Sequence, residues 1–135
     1  MGSLLAHSIP PLTTDRQHTV LVADDEIGIR TILTVMLRRN GFHVLAAENG
    51  SEALALFKEH SQEIGIVLFD VQMPLLSGPA ALDQIRKIAP DVRAILTSGL
   101  LKQEFMERYP VEPPWTFLAK PFAFCDVDDL FPKAA

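Results

Sequence analysis

Between Thr19 and Leu130 the chain alternates five times between a short apolar run and a segment with helical spacing, and this alternation restricts the fold more than any other feature. Thr19 to Ala23 (TVLVA) is apolar and β-branched. From Ile29 to Leu37 the apolar residues fall at 29, 32, 33, 36 and 37, the interval of one helix face. Asn40-Gly41 ends that helix, glycine being free to take the left-handed position. The unit then repeats as a strand from Phe42 to Ala46, Asn49-Gly50, and a helix through Ala53, Leu54 and Phe57. Ile64 to Phe69 (IGIVLF) is a third strand, and Ser77 caps a helix with Pro79 in its first turn and Leu82, Ile85 and Ile88 along it. Val92 to Leu96 is a fourth strand. A weaker helix over about 100–108 sets Leu101, Phe105 and Met106 on one side. Trp115 to Ala119 is the fifth strand, and a short helix begins near Phe122.

Strands separated by helices pair in parallel through right-handed crossovers. The first, third and fourth strands are apolar almost throughout, as strands covered on both faces are. The predicted class is α/β: a doubly wound, flavodoxin-like five-stranded parallel sheet with about five helices, the last one short. The order 2-1-3-4-5 follows because it uses five strands with one switch point. One domain is expected over 19–131. A linker or tail over 1–18 precedes it, where Ser8-Ile9-Pro10-Pro11 and Thr13-Thr14-Asp15 follow neither period, and a tail over 132–135 follows it.

Composition narrows the partners. A net charge of -5 argues against binding nucleic acid through its phosphates. No apolar run approaches the roughly 20 residues of a membrane span, and the first residues make a poor signal peptide, so no membrane contact by this domain is expected. The single Cys125 excludes an internal disulfide and a cysteine-based zinc site, and points to a reducing, cytoplasmic compartment.

Open α/β sheets bind ligands at the carboxyl edge of their strands. The first strand runs into Asp24-Asp25-Glu26, the third into Asp70, the fourth into Thr97-Ser98 and the fifth into Lys120-Pro121. With the first and third strands adjacent, three aspartates converge. Each residue has a plainer reading: Asp24 and Asp25 as helix caps, Asp70 as a turn residue, Thr97 as a buried β-branched residue, Lys120 as a solvated lysine. Structural accident would have to place all of them on the same edge. Clustered carboxylates repel one another and raise a pKa, a divalent ion removes the repulsion, and oxygen-only donors favour Mg2+. Asp70 can then attack as an ionised nucleophile and form an acyl phosphate. The metal and Lys120 can neutralise charge on the phosphoryl oxygens, and Thr97 can donate a hydrogen bond to one of them.

The segments VLVADDE, LFDVQMPLLSG, AILTSG and FLAKPF, in that order, resemble the receiver domain of two-component response regulators from about Thr19 to Leu130. The resemblance implies a CheY-like fold and a phosphorelay role: Mg2+-dependent transfer of a phosphoryl group from the phosphohistidine of a histidine kinase to Asp70, switching a partner-binding surface. It implies Asp25 as a direct Mg2+ ligand, Asp24 acting largely through water, and a metal contact from the Gln72 backbone carbonyl. Thr97 matches the switch hydroxyl, Phe117 the switch aromatic, and Lys120 the phosphate-contacting lysine, with Lys120-Pro121 a cis peptide. Phe117 is equally readable as a plain core aromatic. The implied partners are a histidine kinase or a histidine phosphotransfer domain, with an output domain or protein that the sequence does not name. The chain would be mainly a signalling switch that catalyses its own phosphorylation and dephosphorylation.

Three contexts are open, a stand-alone receiver, a receiver from a longer regulator, or the receiver at the carboxyl end of a hybrid histidine kinase; the linker-like start, the short final helix and the similarity of GPAALDQIR and ILTSGL to hybrid-kinase receivers favour the last. The short final helix, crowded by Asp126, Asp128 and Asp129, predicts that dimerisation through helices four and five is not used strongly. Three other readings fit less well. A Mg2+-dependent aspartyl-phosphate phosphatase needs Asp-x-Asp after the first strand, where this chain has adjacent Asp24-Asp25. A receiver-like interaction module that accepts no phosphate would not need every key position filled. A flavin-binding domain would want hydroxyls and glycines where Asp24-Asp25-Glu26 stands.

Overall fold

A computed structural model describes residues 18–131, so the tails expected over 1–18 and 132–135 lie, except for His18, outside the described residues. The elements are β1 (Thr19–Ala23), α1 (Ile27–Arg39), β2 (His43–Ala47), α2 (Gly50–Glu59), β3 (Ile64–Asp70), α3 (Gly78–Ile88), β4 (Arg93–Ser98), α4 (Lys102–Arg108), β5 (Thr116–Ala119) and α5 (Phe124–Leu130). All strands run parallel in the order β2-β1-β3-β4-β5, as the alternation predicts.

β1, β3 and β4 are apolar almost throughout because each feeds two cores. Along β1, Val20 and Val22 face Leu33, Leu37, Val127 and Phe131 beneath α1 and α5. Leu21 and Ala23 face the other way, toward Phe57, Leu82, Ile85 and Phe105 beneath α2, α3 and α4. Successive side chains of a strand point to opposite faces, so a strand with helices on both sides cannot alternate apolar with polar.

The helix ends follow local chemistry. Gly41 takes φ 93 just after α1, a backbone angle at which a side chain is strained. At α2, Asn49 accepts the Glu52 N–H at 2.7 Å while the Glu52 carboxylate accepts the Glu48 N–H at 2.6 Å. Ser77 accepts the Ala80 N–H at 3.2 Å at the head of α3.

Two expectations need adjustment. Leu101 and Met106 do not share the inward side of α4 with Phe105: they are 76% and 51% exposed, and Phe105 alone is buried. Leu101 is the residue before the helix, outside its period, and Met106 is turned about 100° from Phe105 around the axis. Helix α5 begins at Phe124 rather than near Phe122.

Candidate functional site

The third and fourth strands reach further than the apolar runs suggest, and that extension builds the site. Asp70 is the last residue of β3 and pairs in register with Thr97 of β4, with the Val71 N–H on the Thr97 carbonyl at 2.8 Å. Ala23 pairs with Phe69, which sets Asp24 beside Asp70. The Lys120 N–H donates to the Ser98 carbonyl at 2.8 Å and so extends β5 to the same edge.

The sequence brings Asp24, Asp25 and Asp70 together as expected: one carboxylate oxygen of each lies within 4.8 Å of the others. Asp24 and Asp70 are buried and Asp25 is exposed, so the cluster has one open side. Lys120 is no solvated lysine. Its side chain is 15% exposed, and its Nζ stands 2.8 Å from Asp24 Oδ2 and 3.3 Å from Asp70 Oδ2.

Charge and burial compete here. Burial raises the Asp70 pKa, Lys120 opposes that rise and Asp24 adds to it, leaving Asp70 near about 6 against an ordinary 3.8. Burial lowers the Lys120 pKa, but Asp24 and Asp70 together outweigh it and hold the ammonium above its usual value. The Gln72 N–H donates to Asp70 Oδ1 at 3.3 Å, which places the Gln72 backbone beside the acid cluster.

Thr97 is fully buried, and its Oγ1 has no hydrogen-bond partner among the described residues. A buried hydroxyl left unpaired costs about 1–3 kcal/mol, which an acceptor oxygen on a ligand at the strand end would offset. Phe117, on β5, is half-buried and stacks on Phe105 at 5.4 Å between centroids. The Lys120-Pro121 bond is cis, as is Pro113-Pro114.

The backbone around Asp70 is close-packed. A Cβ on Gly78 would meet the Asp70 carbonyl oxygen at 2.3 Å, so only glycine lets α3 start against the strand end. The Gly78 N–H donates to the Val71 carbonyl at 3.0 Å.

One participant escapes the sequence reading. Glu26 Oε1 also lies 3.3 Å from Lys120 Nζ, making a third acid on that ammonium. Its position directly after Asp24-Asp25 was the available signal, but nothing in the order of residues says that it reaches the end of β5.

Such a site can hold a divalent cation on oxygen donors and stabilise an anion between an ammonium and a hydroxyl. Three comparisons agree with this geometry. The sequence profile of the response regulator receiver domain matches residues 20–131. The chain is 37% identical over 105 residues to sensor kinase CckA of Brucella abortus, covering 78% of this chain but 11% of the kinase. It is 35% identical over 106 residues to chemotaxis protein CheY of Bacillus subtilis, covering 78% of this chain and 87% of CheY. In structure it resembles a chain of the CheX-CheY-BeF3-Mg2+ complex of Borrelia burgdorferi, with a TM-score of 0.71, 29% identity, and 81% and 82% of the two chains covered.

Proposed function

The chain belongs to the response regulator receiver family, and from that membership we propose that Asp70 is its phospho-accepting residue. Receiver domains work in two-component phosphorelays, bind Mg2+ at an acidic pocket and interact with histidine kinases or phosphotransfer proteins. The observation that carries the reading for this chain is the convergence of Asp24, Asp25 and Asp70 beneath the ammonium of Lys120, with the unpaired Thr97 hydroxyl on the neighbouring strand.

The donor set fits Mg2+. The carboxylates of Asp24, Asp25 and Asp70 and the Gln72 carbonyl offer oxygen only, and burial, with the Asp24 charge adding to it, raises Asp70, a penalty on the ionised form that a cation offsets. Mg2+, when bound, would neutralise charge on the transferring phosphoryl oxygens. Asp70, ionised, attacks phosphorus in line. Its oxygen–phosphorus bond forms as the phosphorus–nitrogen bond of the donor histidine breaks, and that nitrogen keeps the electron pair. Lys120 turns from Asp24, Glu26 and Asp70 to a phosphoryl oxygen. Thr97 donates to another oxygen and so satisfies its buried hydroxyl, and Phe117 moves into the space that Thr97 leaves. The partner is a histidine kinase or histidine phosphotransfer domain.

The similarity to sensor kinase CckA supports a hybrid-kinase origin. A cytoplasmic setting accords with the chemistry, and no helix among the described residues is long and apolar enough to cross a membrane. The test is phosphoryl incorporation from acetyl phosphate with Mg2+. Wild type should label once per chain and Asp70→Ala should not; equal labelling would remove Asp70 as acceptor.

A further inference from the structure

An ammonium carries three N–H groups and accepts nothing. That of Lys120 is surrounded by three acids. It donates to Asp70 Oδ2 and to Glu26 Oε1, each at 3.3 Å, and stands in ion-pair contact with Asp24 Oδ2 at 2.8 Å. With three acids around three N–H groups, a phosphoryl oxygen reaches this ammonium only by displacing one of them.

The three acids are held unequally. The side chain of Asp24 is 0% exposed and that of Asp70 8%, whereas that of Glu26 is 64% exposed. Removing the ammonium from Asp24 or Asp70 strands a buried carboxylate, which is costly. Removing it from Glu26 returns a carboxylate to water, and an exposed ion pair of this kind is weak. The backbones on both sides of the Glu26–Lys120 contact are fixed. The Glu26 N–H donates to Asp24 Oδ1 at 2.9 Å and its carbonyl accepts the Arg30 N–H at 3.0 Å. The Lys120 N–H is held on the Ser98 carbonyl at 2.8 Å. The contact is therefore made and broken by side chains alone.

We propose that the Glu26 carboxylate is a placeholder for the phosphoryl group. It occupies an N–H of Lys120 that a phosphoryl oxygen takes over, and it is the first of the three acids to yield. This rests on the phospho-acceptor reading above and adds the residue that competes with the incoming anion for Lys120. Glu26 is a positioning residue: it holds the ammonium at the strand end until an anion arrives and then passes into water chemically unchanged. Its competition sets how strongly an anion must bind to engage Lys120.

The test is the binding of beryllofluoride, a phosphoryl mimic, to the full chain with Mg2+ at low ionic strength. It is followed by fluorine NMR, with labelling from acetyl phosphate measured in parallel. Glu26→Gln should bind the mimic about two- to fivefold more tightly than wild type, the range of an exposed ion pair. Structural damage does not tighten binding, so the sign separates competition from a supporting role. Glu26→Asp keeps the charge on an arm one methylene shorter and should tighten binding to a similar degree, because a placeholder needs contact. In metal-free protein the nitrogen resonance of Lys120 Nζ should move in both variants. Unchanged or weaker binding in Glu26→Gln, a Glu26→Asp that matches wild type, or an Nζ resonance that stays in place overturns the placeholder alone. A wild type that takes neither beryllofluoride nor a phosphoryl group at Asp70 overturns the acceptor reading, and the placeholder with it.

Discussion

Helices α4 and α5 are both seven residues long and both flank β5, yet they are bound to the molecule by opposite means. Helix α5 is locked. Val127 and the following Phe131 are fully buried, and Phe131 meets Phe42 edge-on at 5.5 Å. Asn40, buried at the end of α1, donates to Asp128 Oδ1 at 3.0 Å and to the Phe131 carbonyl at 2.9 Å. Asp126 accepts the Ala123 N–H at 2.8 Å at the head of the helix. Helix α4 has one buried ring and no cap. Two helices of equal length are thus held by unequal numbers of anchors, and α4 is the less firmly held of the two.

The strongest way to break this contrast is to unlock α5. Phe131→Ala should cost about 3–5 kcal/mol in urea unfolding, the usual range for a fully buried aromatic. A loss under about 1 kcal/mol would mean that α5 is held elsewhere. Asn40→Ala should cost about 1–2 kcal/mol, because the buried Phe131 carbonyl loses its donor, while the exposed Asp128 carboxylate can turn to water. It should also raise amide exchange in α5 while leaving α4 unchanged.

A third change acts on the strand end between the two helices. In metal-free protein, Asp70→Asn should stabilise the fold at pH 7 by about 2 kcal/mol. The sign follows from the raised pKa. Protonated Asp70 is favoured in the folded state, so its contribution is complete below about 3.8 and lost as pH rises through about 6. At pH 7 wild type carries the full penalty of a buried charge, and near pH 4 the two proteins should have equal stability. Urea unfolding at both pH values checks it; a variant less stable than wild type at pH 7 would contradict the balance of burial over Lys120. Saturating Mg2+ should reverse the order, since it binds the charged form. The smallest effect is Asp126→Ala, which removes half a capping box and should cost about 0.5–1 kcal/mol in the same assay.

The acids of α5 show where reading along the chain stops. Asp126, Asp128 and Asp129 suggest a helix merely crowded by charge. In the fold Asp126 serves the backbone of Ala123 and Asp128 serves Asn40, a partner 88 residues earlier. Asn40 itself reads as a helix-ending residue beside Gly41, which is true locally and omits its longer reach. The α4 stripe failed for the opposite reason: Leu101, Phe105 and Met106 share an apolar character, but the helix begins after the first and turns away from the third.

Periodicity is a short-range property, set by the geometry of a strand or a helix turn, and so the sequence by itself determined the five βα units and the strand ends that carry Asp24, Asp25, Asp70, Thr97 and Lys120; the order 2-1-3-4-5 was the choice with a single switch point, and the fold realises it. Only the tertiary structure decided that Glu26 joins Lys120, that Thr97 keeps an unpaired hydroxyl, and that Phe105 sits between Phe117 and Trp115. Those facts depend on side chains that are far apart in sequence arriving at one point with a particular direction. Packing fixes that direction, and no local pattern encodes it.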